Sequence, residues 1–107
     1  MCGIYLYSKY FDNSKNNFEE LLIHRGPNFQ KKIVLDDFII GHNLLSIRGE
    51  FHESKQPVII QNRYYLSFNG EIYNSDEIAD KFNLDRSSSD TQILSLLIEQ
   101  KGTNFIR

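Results

Sequence analysis

Ile33-Val34-Leu35-Asp36-Asp37-Phe38-Ile39-Ile40-Gly41-His42-Asn43-Leu44-Leu45-Ser46-Ile47 carries the pattern that decides the fold class. Two runs rich in β-branched and aromatic residues, 33–35 and 38–47, are parted by an Asp-Asp pair. Such side chains suit a pleated strand and adjacent acidic residues suit a tight turn, so the stretch reads as two antiparallel strands. Upstream, residues 4–7 read as a buried strand that begins almost at the amino terminus. Between these strands, Asn17-Phe18-Glu19-Glu20 has the form of a capping box, and Phe18, Leu21 and Leu22 recur at helical spacing as far as the stop at Gly26-Pro27. Downstream, Val58-Ile59-Ile60 and residues 64–68 flank Gln61-Asn62-Arg63 as a hairpin would. The chain then turns helical. Ser75 is placed to cap a short helix carrying Ile78 and Phe82, and Ser87-Ser88-Ser89 precedes a longer one over residues 91–100. In that longer helix Ile93, Leu94, Leu97 and Ile98 form one stripe, Gln92, Ser95 and Glu99 the opposite face, and Gly102 the end. Strands first and helices later predict an α+β domain built on antiparallel sheets.

The chain of 107 residues, 40% hydrophobic and 24% charged, has the size and composition of one ordinary globular domain. A net charge of −2 and no basic run longer than Lys31-Lys32 exclude a nucleic-acid footprint. Apolar runs such as Phe38-Ile39-Ile40 are far too short to span a bilayer, and Met1-Cys2-Gly3 lacks the basic region of a secretory signal. A soluble, cytoplasmic protein is the expectation, with neither nucleic acid nor membrane as partner. The single cysteine excludes an internal disulfide and a multi-thiolate zinc site. His24, His42 and His52 are too scattered for a metal pattern and read as structural. Neither Gly-rich phosphate motif is present, so no cofactor is expected.

Three places hold residues capable of chemistry, each with a plainer reading beside it. Removal of Met1 would leave Cys2 with a free α-amine, a nucleophile carrying its own base; alternatively Cys2 is a lone apolar core residue. Asn69-Gly70 is a hairpin turn between residues 64–68 and 71–73, or a pair of N–H donors aimed at a developing oxyanion. Asp90 is a helix-start carboxylate in the capping form Ser87-x-x-Asp90, or, with Glu71, a ligand for a substrate amine.

In order along the chain, Met1-Cys2-Gly3-Ile4, His24-Arg25-Gly26-Pro27, Gly41-His42 with Leu45-Ser46-Ile47, Gln56-Pro57, Phe68-Asn69-Gly70-Glu71-Ile72-Tyr73-Asn74 and Ser89-Asp90-Thr91 resemble the class II glutamine amidotransferase domain of asparagine synthetases. The resemblance implies an N-terminal-nucleophile hydrolase fold, an αββα sandwich of antiparallel sheets. It covers the first half only, making residues 1–107 a partial type-2 amidotransferase domain. It further implies a glutaminase serving asparagine biosynthesis. Cys2 would form a γ-glutamyl thioester, Asn69 and Gly70 would hold the oxyanion, and Glu71 and Asp90 would fix the α-ammonium group of glutamine. Where the family reads similar to H-x-R-x-S-I, with the Arg on the substrate carboxylate, this chain has Leu44, a departure similar to the asparagine synthetase domain-containing branch. Arg48 shares the strand parity of Leu44 about 13 Å further along a regular strand and replaces the charge if the chain bends at Gly49. A half fold leaves strand edges and apolar faces without cover, so a synthetase-like domain or partner chain completing it is expected. The alternative implied by Leu44 and the short chain is a catalytically silent remnant or interaction module of the same fold.

Overall fold

The computed structural model describes residues 1–12, 17–46, 55–86 and 88–104. In chain order its elements are β1 (Gly3–Ser8), α1 (Phe18–Leu21), β2 (Phe29–Val34), β3 (Phe38–Leu44), β4 (Val58–Ile60), β5 (Tyr64–Leu66), α2 (Ser75–Phe82) and α3 (Asp90–Lys101). They form one antiparallel sheet in the order β1-β3-β2 and a second, β4-β5. The α+β class with antiparallel sheets is therefore correct.

The deciding stretch folds as its composition dictates. Asp36-Asp37 turns the chain between β2 and β3, closed by the Leu35 N–H donating to the Phe38 carbonyl at 2.8 Å, and Val34 pairs with Ile39. Strand β2 begins at Phe29, four residues before the apolar run suggests, because Gln30, Lys31 and Lys32 also pair with β3. These polar residues conceal a strand whose lysines alternate between faces. Lys31 reaches across to donate from Nζ to the Pro57 carbonyl at 2.9 Å, while Lys32 is exposed. Residue 47, expected in β3, lies outside the described residues.

The β4–β5 hairpin turns at Gln61 and Asn62, both at φ 52°, with the Arg63 N–H donating to the Ile60 carbonyl at 3.0 Å. Two successive left-handed residues give the turn a handedness that matches the strand twist. Asn69-Gly70 makes no second hairpin: residues 71–73 form no strand, so the turn reading of that pair is corrected.

Helix α1 is a single turn, shorter than the spacing up to Gly26 suggests. Asn17 caps it as expected, its Oδ1 accepting from the Glu20 N–H at 3.4 Å. Ser75 does not cap α2; it is the first helical residue, and the cap position is Asn74 with no side-chain bond. The cap of α3 is Ser89, whose Oγ accepts from the Gln92 N–H at 3.3 Å. Ser87, the expected partner of Asp90, lies outside the described residues. Gly102 ends α3 at φ 65°.

Layer order follows from the contacts. Phe18 of α1 lies against Tyr5 and Tyr7 on one face of the three-stranded sheet, ring centroids 6.2 and 5.1 Å apart. His42 and Lys31, on the opposite face, meet the second sheet at Ser67 and Pro57. Helix α3 packs on β4 and α2, burying Ile93, Leu97 and Ile98 with Ile60 and Ala79. The layers thus run helix, sheet, sheet, helix.

Candidate active site

Cys2 precedes β1 and runs beside the end of β3. Its Sγ receives the Leu45 N–H at 3.3 Å, and its carbonyl accepts from Arg25 Nε at 3.3 Å. Arg25 comes that close because the turn after α1 lies directly on β3. A Cβ built on Gly26 would stand 1.9 Å from the Asn43 carbonyl oxygen, so only glycine fits there. His24-Arg25-Gly26-Pro27 is a turn, as read, and it is also the clamp on the Cys2 backbone.

The Cys2 nitrogen donates to Asn69 Oδ1 at 3.1 Å across 67 residues of sequence. With Oδ1 so engaged, the two N–H donors of the Asn69 amide point away from Cys2 N. Gly70 follows with its backbone exposed, and a Cβ there would stand 2.9 Å from the Phe68 ring. Asp90 Oδ2 accepts from the Ile72 N–H at 2.8 Å, so part of this carboxylate holds the 69–72 loop rather than capping its own helix. Cys2, Asn69, Gly70, Glu71 and Asp90 all line one cleft of about 1000 Å³, and five of the six residues singled out in the sequence thus come together. The sixth, Arg48, lies outside the described residues. Leu44, 3% exposed, forms part of the cleft wall.

Charge in the cleft comes from Glu71, Asp76 and Asp90 against Arg86 among the described residues. Arg86 is turned to Asp80, with Nε 2.8 Å from Oδ1 and Nη2 2.5 Å from Oδ2. Their hydrogen bonding holds the Asp80 carboxyl below its usual range. His42 is fully buried, its Nδ1 2.7 Å from Ser67 Oγ and its Nε2 without a hydrogen-bond partner among the described residues. Burial pushes its pKa down to about 4, so the ring is neutral at physiological pH, a structural histidine as expected. His24 is exposed, and His52 lies outside the described residues.

Gln56 is the residue whose importance sequence reasoning missed. It is 3% exposed, its Oε1 accepts from the Phe68 N–H at 2.6 Å, and its Nε2 donates to Thr91 Oγ1 at 2.9 Å. Those partners lie 12 and 35 residues away, beyond any periodic pattern. The signal in the sequence was Gln56-Pro57 within the ordered resemblance, which gave Gln56 no role.

A cysteine next to the amino terminus, its nitrogen bonded to the Asn69 side chain at a cleft on paired antiparallel sheets, is an arrangement that fits the glutamine amidotransferase class. The family model described as "Glutamine amidotransferase domain" matches residues 1–107, and the chain belongs to that family. Its relatives are asparagine synthetases. It is 32% identical over 91 residues to Asparagine synthetase B (glutamine-hydrolyzing) of Escherichia coli (strain K12), covering 80% of this chain and 16% of that protein. It is 31% identical over 112 residues to a protein of Acanthamoeba polyphaga mimivirus named "Probable asparagine synthetase (glutamine-hydrolyzing)", covering 95% and 20%. An asparagine synthetase domain-containing protein of Saccharomyces cerevisiae is 37% identical over 54 residues, covering 49% and 10%. The chain is similar to the glutamine amidotransferase domain of asparagine synthetase-like proteins, and it spans no more than about a fifth of the length of these relatives. Among the described residues no helix is long and apolar enough to cross a membrane.

Proposed function

We propose that this domain hydrolyses glutamine to glutamate and ammonia through Cys2. The Sγ would attack the γ-carboxamide carbon, its proton passing to the α-amine exposed by removal of Met1. An amine with a pKa of roughly 8 accepts that proton near neutrality. The tetrahedral oxyanion would be met by the Asn69 amide and the Gly70 N–H. As the C–N bond breaks, the same amine returns the proton to ammonia, leaving a γ-glutamyl thioester, and water then releases glutamate and restores the thiol. Glu71 and the part of Asp90 not engaged with Ile72 would bind the α-ammonium group of the substrate. In a longer protein the ammonia would pass to a synthetase-like region for asparagine formation, as the names of the relatives suggest. The reading keeps the reaction in the cytoplasm, where a lone thiol stays reduced.

The observation that carries this reading is the 3.1 Å bond from the Cys2 nitrogen to Asn69 Oδ1. It supports the reading by bringing the backbone nitrogen of Cys2 beside the Asn69 side chain. Leu44 in the cleft wall favours a second reading, a domain of the same fold that does not turn over glutamine. Intact mass before and after exposure to an electrophilic glutamine analogue separates the two. Catalysis predicts loss of Met1 and one adduct, suppressed by glutamine and abolished in Cys2→Ala. Retained Met1, or labelling indifferent to glutamine, establishes the silent reading.

A further inference from the structure

The residues singled out for chemistry do not explain why Asn69 and Gly70 stand beside Cys2. Residues 68–72 have no strand or helix of their own, and Asn69 and Gly70 are exposed. Such a segment keeps its shape only if something else holds it. Both of its ends are held through backbone N–H groups. At one end the Phe68 N–H donates to Gln56 Oε1; at the other the Ile72 N–H donates to Asp90 Oδ2. Gln56 is in turn fixed by Thr91 Oγ1, the residue after Asp90 in α3. Gln56 and Thr91 are 3% and 5% exposed, so each depends mainly on protein partners for its hydrogen bonds.

Resting on the proposed glutaminase reading, we infer that Gln56 and Thr91 are positioning residues for the oxyanion donors. Together they tie the start of the Asn69-Gly70 segment to the first turn of α3, while Asp90 ties its end to the same turn. A planar group with two polar atoms suits this job, because one atom accepts from the Phe68 N–H while the other meets the Thr91 hydroxyl, which can accept or donate. An apolar replacement leaves the part-buried Phe68 N–H without its protein partner, so the segment is free to shift toward water. Neither residue contacts the reacting atoms in this scheme. Their effect passes through Phe68 to the donors one and two residues further on, where small displacements weaken transition-state stabilisation.

The test uses the full chain and two electrophiles, the glutamine analogue and iodoacetamide, which needs the thiol but not the oxyanion donors. Gln56→Met should slow the glutamine-suppressible labelling of Cys2 by roughly tenfold or more while iodoacetamide alkylation stays within about twofold. Gln56→Glu, whose carboxylate can accept from both the Phe68 N–H and the Thr91 hydroxyl, should restore most of the analogue rate. Equal analogue rates in wild type and Gln56→Met overturn the inference. So does a parallel fall with both electrophiles, which marks general core damage. Amide hydrogen exchange keeps the inference decidable if the wild type takes no analogue and the glutaminase reading itself fails. Protection at Phe68 should then fall at least about tenfold in Gln56→Met while the β4–β5 ladder keeps its own, and unchanged exchange at Phe68 refutes the clamp.

Discussion

Acidification between pH 6.5 and 4 should destabilise this domain through His42, and the size of the effect follows from the burial of its ring. In the folded chain the pKa of His42 lies at about 4 against an ordinary value of 6.5. The unfolded chain therefore binds a proton that the folded chain refuses anywhere in that interval. Linkage fixes the sign: stability is complete above pH 6.5, declines as pH falls toward 4, and levels off below it with respect to this group. Each pH unit across that interval costs about 1.4 kcal/mol, so the full loss is about 3 kcal/mol, a large share of the roughly 5–15 kcal/mol that stabilises a typical domain. Carboxylates titrate nearby, so the measurement must be a difference. Urea unfolding of the wild type and of His42→Gln, followed from pH 7.5 to 4, isolates the histidine because glutamine does not titrate. The wild type should lose stability relative to the variant by about 3 kcal/mol over the interval, with the steepest change at about pH 5, midway between the folded and unfolded pKa values. A stability difference that stays constant with pH would refute the reasoning, since it would mean that His42 meets water or a carboxylate in the folded state.

Replacing Asn69 by Ala should lower kcat for glutamine hydrolysis by about 100- to 1000-fold with a much smaller change in KM, as expected for a donor that engages only the developing oxyanion. Steady-state ammonia release measures both constants, and an equal loss confined to KM would assign Asn69 to ground-state binding. Gly26→Ala should destabilise by about 1–3 kcal/mol or more, because its Cβ would meet the Asn43 carbonyl oxygen at 1.9 Å and the turn must lift from β3. Thermal unfolding reads that cost, and a melting temperature unchanged from wild type would show that the turn does not lie where Gly26 places it.

Legibility in the sequence tracked the range of the interaction. The β2–β3 turn, the β4–β5 hairpin, the Asn17 cap and the Gly102 stop all rest on residues a few positions apart, and each is where local chemistry puts it. The start of β2 was hidden because a lysine that snorkels to a carbonyl in the second sheet looks, in sequence, like a lysine in a loop. The turn reading of Asn69-Gly70 failed for the complementary reason. Locally Asn-Gly is a good hairpin turn, but here the Asn side chain is taken by the Cys2 nitrogen and the flanking N–H groups by Gln56 and Asp90. Tertiary hydrogen bonds satisfied the backbone that a second strand would otherwise have paired. The site residues were found through an ordered resemblance, since no local pattern relates positions 2, 69 and 90.

That dependence on distant contacts has a mechanical consequence. Cys2 leads into β1 of the first sheet, whereas Asn69 and Gly70 follow the last strand of the second, so the candidate site is assembled across the seam between two sheets. Hydrogen bonds cross the seam from Lys31 to Pro57, His42 to Ser67, and Cys2 to Asn69 itself, and Lys55 lies over the Phe29 ring of β2 at 4.9 Å. Ser67 stands only two residues before Asn69, so a perturbation at His42 reaches the oxyanion donors with little chain in between. A protonated His42 would carry its charge where no described partner meets Nε2, and relief would come from parting the sheets at that point. Opening there withdraws the Asn69 amide from Cys2 before the hairpin or α3 need unfold. Amide hydrogen exchange around Ser67 and Asn69 should therefore speed up at a milder acidity than exchange in the β4–β5 ladder or in α3, whereas a segment held within one sheet would keep its protection until that sheet itself came apart.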